Sequence, residues 1–151
     1  RRDFPTLAWR YDQVPTSGRY RRFILMQGNR PRGWLVLRIE TWRDEPMGVV
    51  VDYLARPGWL APLFAHALDL GRREGVIALM TRTRNRPGHA VLSALGFLRR
   101  DIGTRLPTRL MAHLGPGGER LRPLVAEADN WFVTYGDSDI GHREMVGEYQ
   151  A

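Results

Sequence analysis

The chain contains no cysteine and no lysine. Without thiols, neither a disulfide framework nor a thiolate metal site can form. Without lysine there is no Schiff base, no amine nucleophile and no lysine for a phosphate-binding loop. The 23 basic residues that outweigh 16 acidic ones, for a net charge of +7, are therefore all arginine, a composition that the codon bias of a GC-rich genome produces. Guanidinium binds carboxylates and phosphates bidentately and keeps its proton near neutral pH, so these residues can hold anions and cannot act as bases. The basic excess suits a polyanionic ligand, either a phosphorylated cofactor or a nucleic acid. No nucleic-acid motif accompanies it, so nucleic acid is not the expected partner.

Long apolar runs are also missing. None approaches the roughly 18 residues that a membrane-spanning helix needs. No basic-then-apolar leader opens the chain, and the cytoplasm is the expected address. The first residue is Arg1 rather than Met, which suggests a piece of a longer protein. Several catalytic constellations are excluded by spacing. His66, His89, His113 and His142 do not fall at metal-ligand intervals, and none lies with Glu in a zinc-protease pattern. No serine is flanked as in a nucleophile elbow. Gly136-Asp137-Ser138-Asp139 lacks the spacing of a calcium loop and reads as a turn.

What is present is one domain's worth of alternating strands and helices, in 151 residues without internal repeat or low-complexity segment. Residues 4–15 mix aromatics and prolines around Trp9-Arg10-Tyr11 and read as a loop or short helix. Residues 20–27 and 34–41 are strand-like and are separated by the turn residues 28–33, giving a hairpin. After Asp44-Glu45-Pro46, residues 48–54 form a continuous β-branched run of the kind found in a buried central strand. Residues 60–74 are the best helix. Leu60, Leu63, Phe64, Ala67, Leu68 and Gly71 share one face, and Gly75 stops it. A strand is expected over 76–81 and another over 98–102. Residues 105–123 read as a loop-rich excursion, and 130–135 as a last strand before a polar tail. The boundaries are a lead-in at 1–19, a domain at 20–135 and a tail at 136–151. The order predicts an α/β (α+β) fold with a mixed, mostly antiparallel sheet flanked by helices.

One segment is more specific than the rest. Residues 85–97 read Asn-Arg-Pro-Gly-His-Ala-Val-Leu-Ser-Ala-Leu-Gly-Phe, with Asn85 and Pro87 suited to a helix start and Gly96 to its left-handed end. Asn85, Pro87, Ala90, Leu95, Gly96 and Phe97 resemble the second signature helix of the GNAT N-acetyltransferase superfamily. The strand order over residues 20–135 is similar to that family's core. Trp9-Arg10-Tyr11 and the ending Trp131-x-x-Thr134-x-Gly136-Asp137-Ser138-Asp139 resemble bacterial GNAT-like proteins of duplicated or extended architecture, in which such a segment is the carboxyl half.

The resemblance implies acetyl-CoA as co-substrate and an amine, on a small molecule or peptide, as acceptor. It implies a central strand that splays from its neighbour to offer backbone groups to pantetheine, followed by a loop and helix start that bind pyrophosphate through N–H groups. Here these are Asp52, Tyr53 and Leu54, then Arg56, Gly58, Trp59 and Leu60, with Asn85 also near the cofactor. Arg56 and Ala61 fit the family's loop pattern, whereas Trp59 stands where it has Gly, with Gly58 one residue early. Asp52, the one acid in an apolar strand, is the candidate base, its alternative being a cap on the following loop. Leu92 stands where the family places its acidic Tyr, leaving Tyr53 as the candidate acid. Asn85 also has a capping role open to it, and Arg82, Arg84 and Arg86 could reach a phosphate or an anionic substrate. The departures at Trp59 and Leu92 keep open a second expectation, a GNAT-like structural or interaction domain without catalysis beside an active partner. A missing amino-terminal domain, or a second copy paired along a sheet edge, is the expected protein partner.

Overall fold

The computed structural model describes residues 3–13, 19–83, 86–98, 118–127 and 134. It divides into two compact units, one of Arg1–Arg82 with Thr134–Ala151 and one of Thr83–Val133.

In the first unit, helix α1 spans Phe4–Tyr11. Asp3 caps it by accepting a hydrogen bond from the Thr6 N–H at 3.1 Å, and Pro5 falls in the first turn, where a missing N–H costs nothing. Strand β1 (Tyr20–Gln27) turns through Gly28-Asn29 into β2 (Arg30–Trp42), which turns through Arg43-Asp44 into β3 (Glu45–Ala55). Both turns are shorter than expected, and residues 30–33, 45 and 46 belong to strands. Two-residue turns follow the twist of paired strands when the backbone enters the positive-φ region. Gly28 does so at +54°, and Arg43 and Asp44 do so at 52° and 65°.

Helix α2 (Leu60–Arg73) crosses over to the short strand β4 (Ala78–Thr81). The sheet order is β1-β2-β3-β4, with the first two pairings antiparallel and the last parallel. Val76 and Ile77, expected in β4, precede it. The Val76 N–H is used to close α2 on the Gly71 carbonyl at 2.8 Å, past Gly75 at φ +71°.

The sheet buries both faces. On one, Leu63, Phe64 and Ala67 of α2 meet Leu35, Leu37, Val50 and Tyr53, all fully or nearly fully buried. The Tyr53 and Phe64 rings pack edge to face at 4.9 Å between centroids. On the other face, Leu7 and Tyr11 of α1 pack over Tyr20, Trp34, Val36, Val49 and Val51.

In the second unit, helix α3 spans Arg86–Ala94 and ends at Gly96, φ +87°, as its composition predicts. A 3₁₀ turn at Gly118–Leu121 leads into α4 (Arg122–Ala126), so the end of the expected excursion is helical; Pro123 sits in the first turn of α4, where its fixed φ favours the helix. Leu98 is in no strand, and the rest of the strand expected at 98–102 lies outside the described residues. So does the last strand, 130–135, apart from Thr134, which is in neither helix nor strand.

Candidate active site

Strand β3 carries the site, and one irregularity in it decides the geometry. The β2–β3 register runs Val36↔Asp52 and then Leu37↔Val50, which leaves Val51 as an extra residue. Bulges of this kind re-aim side chains without ending the strand. Val49 and Val51 face α1, Val50 and Tyr53 face α2, and Asp52 joins Val51 on the α1 side opposite Val36. In an unbroken strand Asp52 would point with Val50 at α2.

So aimed, the Asp52 carboxylate is 1% exposed and ringed by donors. The Thr134 hydroxyl donates to Oδ1 at 2.7 Å and the Tyr53 N–H donates to the same oxygen at 2.9 Å. The Tyr11 hydroxyl donates to Oδ2 at 3.3 Å. Burial, and next the charge of Asp52, hold the Tyr11 phenol far above its usual range, so it stays protonated as a donor. Asp52 is not the loop cap that its position in the sequence also allowed. The strand runs three residues further, to Ala55.

β3 and β4 pair only over Met47–Val50 and Ala78–Thr81, and the Thr81 hydroxyl donates to the Val50 carbonyl at 3.3 Å where the ladder ends. From Val51 to Ala55, no described strand occupies the β4 side of β3. The Leu54 backbone, expected to be offered to a ligand, instead pairs with Trp34 of β2, and the Arg56 N–H bonds to the Arg32 carbonyl at 2.9 Å beside it. Next comes a tight turn, in which the Trp59 N–H bonds to the Arg56 carbonyl at 3.0 Å around Pro57 and Gly58, the latter at φ +81°. Pro then Gly at the two central positions is the chemistry of a turn with positive φ at the second. A side chain at Gly58 would meet nothing within 4 Å, so the turn leaves open space above it. Trp59 precedes the first turn of α2 without a side-chain cap. Its ring lies under the Arg32 guanidinium, 5.6 Å from the ring centroid. The N–H groups of Leu60 and Ala61 open the helix, and Pro62 brings none. These residues fit a ligand phosphate: a 14-residue helix, an open glycine turn and an indole engaged elsewhere.

The structure thus brings Leu54, Arg56, Gly58, Trp59 and Leu60 into one continuous strand–turn–helix unit. It separates Asp52 from Tyr53, which lies on the α2 face, packed against Phe64 and 1% exposed. Asn85 lies outside the described residues. Tyr11 and Thr134 were not singled out as site residues, although both stand in motifs that the sequence makes visible. Among the described residues no group of His, Asp and Glu could hold a metal ion, and no helix is long and apolar enough to cross a membrane.

Between α1 and the outer parts of β1, β2 and β3 lies a cavity of about 520 Å³, within the usual size range of small-molecule sites. Tyr11 and Leu54 both line it, so it reaches the Asp52 network and the end of β3 together.

Solved structures share this architecture. An aminoglycoside acetyltransferase, HMB0005, from an uncultured soil metagenomic sample is similar with a TM-score of 0.53 at 14% identity, over 72% of this chain and 77% of that one. A probable acetyltransferase is similar with a TM-score of 0.52 at 12% identity, over 68% and 75%. The integron cassette protein HFX_CASS3, from the mobile metagenome of Cole Harbour Salt Marsh, is 24% identical with a TM-score of 0.47. That match covers 63% of this chain and 62% of the other, so the chain spans less than two thirds of that protein. No protein-family model matches the chain, and no curated protein matches it by sequence. The chain has an acetyltransferase fold of the GNAT type, a mixed four-stranded sheet with flanking helices.

Proposed function

We propose that the chain is an N-acyltransferase that moves an acetyl group from acetyl-CoA to an amine by direct transfer. The observation that carries this reading is the end of β3. It carries the buried Asp52 network and turns at Pro57-Gly58 into α2, in a fold shared with acetyltransferases.

Bound acetyl-CoA would supply an activated acyl carbon, its C–S bond exchanged for a C–N bond to the amine. The chain's own residues bind and move protons. The helix start at Leu60, with Arg56 beside it, offers N–H groups and positive charge to phosphate. Tyr11 lines the cavity and Asp52 does not, so Tyr11 stands between the carboxylate and an amine bound there. Tyr11 Oη would accept the amine's proton as its own proton passes to Asp52 Oδ2, while Thr134 and the Tyr53 N–H hold the carboxylate in place. Tyr53 on the opposite face serves the core packing of α2, so the proton for the departing thiolate comes from another donor or from water.

Calorimetric titration of the 151-residue chain with acetyl-CoA and CoA tests the reading, together with turnover on an amine panel. Micromolar binding and acetyl transfer are expected. A folded protein that neither binds nor consumes any acyl-CoA would overturn it. Trp59 standing at the family's glycine position favours the second reading, a structural domain beside an active partner. Binding gained only on Trp59→Gly would establish that one.

A further inference from the structure

The α1-side cavity carries charge information that the fold does not. Its walls are apolar, formed by Leu7, Ala8, Phe23, Ile24, Trp34 and Leu54, and its charged lining is Asp12 with Arg22, Arg32 and Arg56. Asp12 is already ion-paired with Arg22, which also donates to the Tyr11 carbonyl at 3.1 Å. Arg32 and Arg56 are different. The Arg56 N–H donates to the Arg32 carbonyl at 2.9 Å, so the backbone holds the two residues side by side at one rim. Arg32 is oriented by Gln27, whose Oε1 accepts from its Nε at 2.9 Å, and by the Trp59 ring. Among the described residues neither arginine is paired with a carboxylate. A polycation such as an aminoglycoside would meet three guanidiniums here and one acid already in use.

We infer that this cavity is the acceptor pocket of the acyl transfer proposed above, and that it selects an amine with a bulky apolar body and an anionic group, bound at Arg32. The apolar walls bury the body, and the guanidinium fork takes a carboxylate or sulfonate bidentately. The discrimination is against cations as much as for anions. Tyr11 lines this cavity, and its hydroxyl carries the bond to Asp52. A large aromatic amine fits within about 520 Å³ with room to spare.

Two experiments test this apart from the transfer reaction on which it rests. The first uses the fluorescence of 1-anilinonaphthalene-8-sulfonate and of its neutral relative N-phenyl-1-naphthylamine, with no acyl-CoA present. The sulfonate is expected to bind about tenfold more tightly, a preference that Arg32→Met reduces to about threefold or less. Ile24→Trp, at a strand position 68% exposed and so tolerant of size, is expected to weaken the sulfonate about tenfold by filling the cavity. Displacement by kanamycin, equal binding of the two probes, or indifference to both variants would overturn the inference. The second compares tryptophan with tryptamine as acceptors of acetyl from acetyl-CoA. An excess of about tenfold in kcat/KM for tryptophan that collapses in Arg32→Met supports it. Transfer with no preference for the carboxylate overturns the inference and leaves the acyltransferase reading standing. Selective sulfonate binding without any transfer does the reverse.

Discussion

The two faces of the sheet use the same strands for opposite ends. The α2 face is dry and closed, with Leu63, Phe64, Ala67, Val50 and Tyr53 at 2% exposure or less. The α1 face keeps a cavity, a buried carboxylate with three donors and an almost fully buried Arg38 ion-paired to Glu40 at 3.1 Å. Buried polar groups cost stability unless they are bonded, and a cavity forfeits packing contacts, so the second face is the one that gives up stability for the proposed chemistry. What divides the labour is Val51. One additional residue in β3 sends Asp52 to the face with room for a ligand and leaves Tyr53 to the face with none.

The largest effect is expected where packing alone is at stake. Phe64→Ala should lower unfolding free energy by about 3–5 kcal/mol in denaturant titration, since the ring is fully buried on the closed face. A loss of under about 1 kcal/mol would mean the two faces are not so different. Next comes the polar network. Asp52→Asn should reduce acetyl transfer by about a hundredfold while acetyl-CoA affinity stays within about threefold, because it removes the proton acceptor and leaves the strand edge intact. Tyr11→Phe should cost about 1–3 kcal/mol through the lost bond to a buried carboxylate, and should lower kcat more than it raises KM. A purely structural Tyr11 would lose stability and keep kcat.

The smallest effects lie at the helix ends and report on pH. The hydrogen bond from Thr6 holds the Asp3 carboxyl below its ordinary value, and Arg21, bonded to Glu74 by both carboxylate oxygens, does the same for Glu74. A lowered folded-state pKa contributes stability above the unfolded value, and that contribution is lost as pH falls through the folded value. Asp3→Asn and Glu74→Gln should therefore melt slightly below the parent at pH 7, with the gap closing as pH falls below about 4. A gap that widens in acid would reverse the assignment.

Much of the fold was legible because periodicity and turn residues act locally. The hairpin, the central strand and α2 follow from alternation, from Gly28-Asn29 and from the apolar stripe ending at Gly75. The bulge was not legible. Val49, Val50 and Val51 are all apolar and all buried, and a strand covered on both faces carries no alternation to betray an extra residue. The partners of Asp52 were hidden for another reason. Tyr11 lies 41 residues away and Thr134 82 residues away, and no local rule links them. Both stood inside recognisable motifs whose purpose emerges only once the chain is folded. The second turn was expected over Asp44-Glu45-Pro46 and falls at Arg43-Asp44, because these two lack the Gly or Asn that usually marks positive φ.

The two tight turns also set an order of events in time. Residues 20–55 form a meander whose pairings are all between sequence neighbours, so little chain entropy is lost in closing it. The parallel pairing of β4 has to wait for the crossover through α2. The meander is therefore expected to gain amide protection first in pulse-labelled refolding, with β4 joining later. Until then β3 presents a long apolar edge to every other nascent chain. A protein arranged this way is most exposed to aggregation through the very strand on which the proposed activity depends.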